Sequence, residues 1–101
     1  MMDEPQALIV LSAPPELKED LIDWLLVSRN VRSFNSEETF GHSSEHEHLT
    51  IAEQVRGEER RIQFQIMLPA REVGAFLDEL KTMPHTGIQY WVLPVTRSGS
   101  L

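Results

Sequence analysis

The chain has 101 residues, 41% hydrophobic and 25% charged, a composition that fits one folded domain rather than a disordered chain. A net charge of -7 argues against a general grip on phosphate backbones. The clustered basic residues Arg56, Arg60 and Arg61 are interleaved with Glu58 and Glu59, so no nucleic-acid partner is expected. With no cysteine there is no disulfide, no thiolate metal site and no redox pair.

The acidic opening "MMDEPQALIVLSAPP" holds an apolar run of five residues, Ala7 to Leu11. That is too short for a secretory core or for the ~20 apolar residues of a membrane span, so no membrane insertion and a cytoplasmic location are expected. Bounded by Ser12, Pro14 and Pro15, the run reads as a strand buried on both faces. The period then changes. Leu17, Leu21, Trp24, Leu25 and Ser28 share one face of an amphipathic helix, with Pro15, Glu16, Glu19 and Asp20 suited to its first turns. Asn30 is the expected left-handed stop.

From Val31 to Phe40 a weaker strand is expected, with Phe34 and Phe40 on one parity. "RRIQFQIML" is a clear one, because Ile62, Phe64, Ile66 and Leu68 alternate with Arg61, Gln63, Gln65 and Met67 up to Pro69. "REVGAFLDELKTM" places Val73, Phe76, Leu77 and Leu80 on one helical face, and Gly74 within it suggests close packing. "GIQYWVLPV" closes the chain as a strand ending at Pro94, apolar on both parities. Ile88, Tyr90 and Val92 fall on one side of it, Trp91 and Leu93 on the other. A sheet whose second face is apolar meets either a covering loop or the sheet of another subunit.

The order of elements predicts a single α+β domain over residues 1–101, a ferredoxin-like βαββαβ unit. Its antiparallel sheet carries two helices on one face. The connection between the second and third strands, about 41–59, is far longer than the two to five residues of an ordinary hairpin. Within it "LTIAEQV" suits either a short helix or strand continuations meeting near Gly57.

"LIDWLL", "LTIAEQVRGEERRIQFQIMLP" and "YWVLPV" together resemble a small bacterial PII-like family known only as a domain of unknown function. More widely, the fold and "GIQYWVLPV" are similar to the PII superfamily of signalling proteins and to the related divalent-cation-tolerance proteins. The resemblance runs from Ala7 to Val95. It implies a homotrimer built through the sheets, with the 41–59 connection as an effector loop that engages a protein partner. It also implies a link to heavy-metal efflux or homeostasis. One departure is clear: the turn "MPHTGIQ" has Gly87 but no lysine after Lys81, and only Arg97 follows Pro94. Few donors are left there for phosphate in the PII manner.

Three of the four histidines fall in "FGHSSEHEHLT". In an extended chain His42, His46 and His48 point to one side, whereas in a helix His42 and His46 become neighbours and His48 moves away. With an oxygen from Glu45 or Glu47 these imidazoles form a candidate site for Zn, Cu, Ni or Co. The same residues also suit a pH-responsive surface or a solvated loop, since their spacing matches no established metal motif. His85 lies in the turn before Gly87, where it suits an effector contact or a plain surface turn. The arginines Arg56, Arg60 and Arg61 read as a solvated charge cluster with the nearby glutamates.

An enzyme is not expected: there is no Cys nucleophile, G-x-S-x-G elbow, Walker loop or G-x-G-x-x-G turn. Two functions follow from these readings. One is a non-enzymatic PII-like regulatory or sensor protein that binds a divalent metal through its histidine loop. The other is a protein-interaction module with no small-molecule ligand.

Overall fold

The computed structural model describes residues 4–31, 33–42, 58–84 and 87–101. Strand β1 (Gln6–Ala13), helix α1 (Lys18–Val27), strands β2 (Phe34–Gly41) and β3 (Glu59–Pro69), helix α2 (Val73–Leu80) and strand β4 (Gln89–Val95) follow in βαββαβ order. Pro14 and Pro69 turn the chain out of β1 and β3, and a 3-10 turn leads into each helix, at Pro15–Leu17 and Ala70–Glu72. The sheet order is β2-β3-β1-β4, and every neighbouring pair is antiparallel.

Alternation decides which side chains enter the core. Ile62, Phe64, Ile66 and Leu68 of β3 join Ile9, Leu11 and Ala13 of β1 beneath the helices. Leu21 and Leu25, one turn apart on α1, and Phe76 and Leu80, one turn apart on α2, close the core from above. The Trp24 ring tilts against Phe76 with centroids 5.1 Å apart, which joins the two helices, and Phe34 meets Phe64 across the β2–β3 pair at 6.2 Å.

Three local expectations are corrected. First, α1 stops at Val27 rather than near Asn30, because Ser28 is already extended and its hydroxyl donates to the Trp24 carbonyl at 3.0 Å. No described residue other than glycine has a positive φ, so Asn30 is not a left-handed stop. Second, β2 begins at Phe34 instead of Val31, since Val31 packs against the core rather than pairing. Third, nothing lies within 4 Å of the point where a Cβ on Gly74 would sit, so that glycine serves no close packing. The stretch "LTIAEQV" lies outside the described residues.

The helix layer stops short of β4. Tyr90 and Val92 pair with Leu11 and Ile9 and share the core-facing side, yet they are 50% and 39% exposed. On the open face Trp91 and Leu93 flank Val10 and Leu8 of β1, and with Met67 they leave a half-exposed apolar strip. Beside it the face turns polar through Gln63, Gln65, Asn35 and Glu37. Among the described residues no helix is long and apolar enough to cross a membrane.

Candidate functional site at the base of the long connection

The strands β2 and β3 outrun β1. Pairing of β1 with β3 reaches only Ala13 and Ile62, whereas β2 and β3 continue to Gly41 and Glu59. A two-stranded ribbon, Thr39–Gly41 with Glu59–Arg61, therefore projects beyond the sheet and carries the connection at its end. His42 follows Gly41 there and is exposed. His46, His48, Arg56 and His85 lie outside the described residues, so the three-histidine set is placed at one member only. Among the described residues no group of three or more His, Asp or Glu side chains is arranged to hold a metal ion.

The two arginines of the ribbon separate sharply. Arg60 faces solvent, with Nη2 3.4 Å from Glu38 Oε1 and both side chains more than half exposed, a pair that contributes little. Arg61 is only 8% exposed, which corrects its place in a solvated cluster. Its Nε donates to Ser12 Oγ at 2.9 Å, and its Nη2 donates to the carbonyls of Ser12 and Gly87, each at 2.7 Å. Its Nη1 donates to Glu59 Oε1 at 3.0 Å, which supplies the counter-charge. A buried guanidinium is tolerated because four of its five N–H donors have partners and its charge is balanced.

One group thus joins the end of β1, the base of the long connection and the turn before β4. That turn has its own constraint. Gly87 has φ of 80°, and a Cβ there would come within 3.3 Å of Pro14 Cγ. Sequence reading missed the network because two of its acceptors are backbone carbonyls distant along the chain. The available signal was Ser12, the one polar side chain in the run "ALIVLSA", on the same face as Arg61.

A separate cavity of about 330 Å³ opens between the end of α1 and α2, walled by Trp24, Val27, Val31, Leu68 and Phe76 with Glu72 on its lining. It contains none of the histidines or ribbon arginines.

A family profile described as "Protein of unknown function (DUF3240)" matches residues 4–101. The chain is similar to the crystal structure of a DUF3240 family protein from Shewanella baltica, at 28% identity, TM-score 0.78 and 99% coverage of both chains. It also resembles the periplasmic divalent cation tolerance protein CutA from Archaeoglobus fulgidus, at 15% identity and TM-score 0.69, over 92% of this chain and 86% of that one. The nitrogen regulatory PII-like protein CPII from Thiomonas intermedia, bound to ADP, AMP and bicarbonate, matches at 17% identity and TM-score 0.59. That match covers 90% of this chain and 92% of the other. The last two likenesses establish a shared PII-like fold. No curated protein matches the sequence significantly.

Proposed function

The chain belongs to the DUF3240 family of proteins of unknown function, and from that premise we propose that it is a non-enzymatic PII-like sensor whose long loop takes a divalent metal. The observation that carries this reading is the ribbon: the one connection too long for its fold leaves the sheet there, and the histidine-rich segment begins at its tip. His42, His46 and His48 supply the imidazoles, with Zn, Cu, Ni or Co as the ions that imidazole without thiolate suits. The name of the Archaeoglobus relative, a divalent cation tolerance protein, supports a cation as the ligand. A nucleotide such as that held by the Thiomonas protein has less support, because the turn before β4 lacks a lysine after Lys81.

The half-exposed strip of Met67, Trp91 and Leu93 beside Leu8 supports assembly through the open face, as a homotrimer in the manner the resemblance implies. A cytoplasmic role in metal homeostasis, exerted through a protein partner on the loop, completes the reading. The test is calorimetry with Zn(II) and Cu(II) on tag-free protein and on a His42→Ala, His46→Ala, His48→Ala triple variant. Saturable binding near one ion per site that the variant loses is the expected result. Equal weak binding by both would remove the histidine site and leave the interaction module without a small ligand.

A further inference from the structure

We infer that Arg61 is a mechanical link between the ribbon that carries the long connection and the turn before β4, so that a displacement at either end reaches the other. Its use in signalling rests on the loop sensor proposed above, while the link itself rests on geometry alone.

The guanidinium is a planar fork whose donors keep fixed relative directions, so its acceptors are held in fixed relation to one another. A single nitrogen, Nη2, bonds both the Ser12 carbonyl on β1 and the Gly87 carbonyl in the turn, each at 2.7 Å. Those are short, charge-assisted contacts. Nε adds the Ser12 hydroxyl, and Nη1 reaches Glu59, the register partner of Gly41 at the very base of the connection. Gly87 has φ of 80°, and an added Cβ would meet Pro14 Cγ at 3.3 Å, so a substitution at this position disturbs the turn.

The contacts differ in how readily they let go. The two Ser12 contacts are buried, whereas those to Glu59 and to the Gly87 carbonyl are only partly so, which makes Ser12 the fixed anchor and leaves the two outer contacts open to exchange with water. The device therefore has two arrangements. In one, Glu59 balances the buried charge and the ribbon is tied to the turn. In the other, Glu59 has turned to water and the guanidinium retains only neutral acceptors from Ser12 and Gly87. A ligand that draws the base of the connection toward one arrangement changes how firmly Gly87 is held, and a contact on the turn does the reverse.

The experiment is amide hydrogen exchange on the full chain without any ligand, arranged as a double-mutant cycle. Gly87→Ala perturbs the turn, and exchange is read at Gly41, His42, Glu59 and Arg60, in the native background and in Arg61→Lys. The link predicts that Gly87→Ala speeds ribbon exchange by about three-fold or more in the native background, an ordinary coupling energy, and leaves it unchanged in Arg61→Lys. Core amides of Ile9, Leu11, Phe64 and Ile66 serve as reference. An equal effect in both backgrounds, no effect in either, or a uniform rise that includes the core overturns the link. Should Arg61→Lys fail to fold, Glu59→Gln replaces it. Faster exchange at Gly87, Ile88 and Gln89 then supports the link, and unchanged exchange there overturns it. No metal enters this measurement, so its outcome is separate from that of the calorimetry.

Discussion

Arg60 and Arg61 are neighbours of the same chemistry on opposite faces of β3, yet Arg60 lies in water because β1 ends before it, and Arg61 is buried under Ser12 and the Gly87 turn. That parity is legible in "RRIQFQIML", as are the four core positions of β3. What is not legible is that the open face near Arg61 is closed by Ser12 and the Gly87 turn, which the chain reaches 49 and 26 residues away. Two predictions belong at this scale. Phe64, fully buried under the helices, should cost about 3–5 kcal/mol on conversion to Ala in urea unfolding. Gly87→Ala should cost about 1–2 kcal/mol for the left-handed backbone alone, with the close Pro14 contact adding to it. Glycine in "MPHTGIQ" marks a turn in the sequence, but only the φ of 80° shows that the turn needs one.

At the scale of elements, the strands and helices follow from periodicity because each buries one face on the same core. Their ends follow less well, since a competing contact decides them. Ser28 bonds back to Trp24 and Val31 packs inward, and together they end α1 early and start β2 late. Gly74 illustrates a different limit. A glycine in a helix has two meanings, close packing or none, and the sequence does not separate them. Open space around it does. Gly74→Ala should therefore stabilise the protein by up to ~1 kcal/mol, seen as a raised midpoint in thermal unfolding. The same substitution would destabilise if a neighbouring element pressed on that face.

For the whole molecule, β4 is apolar on both faces, and among the described residues nothing covers Tyr90, Trp91, Val92 and Leu93 fully. The last strand already carried that signal, because Tyr90 and Val92 alternate with Trp91 and Leu93. Trp91→Asp with Leu93→Asp should convert the proposed trimer to a species of one 11.6 kDa chain in light scattering, with helix content retained. An unchanged mass would move the interface elsewhere. The site itself was only partly legible. "FGHSSEHEHLT" announces imidazoles, and the projecting ribbon places His42 at the start of the connection, but the Arg61 network beneath it needed the fold to appear. If metal at these histidines changes the state of the loop, hydrogen exchange across residues 42–58 with and without Zn(II) reads that change. Saturable slowing of exchange in that segment is expected for the native chain, and none for the His42, His46 and His48 triple alanine variant. Exchange that is unaffected by Zn(II) in the native chain, or slowed equally in both, would contradict it.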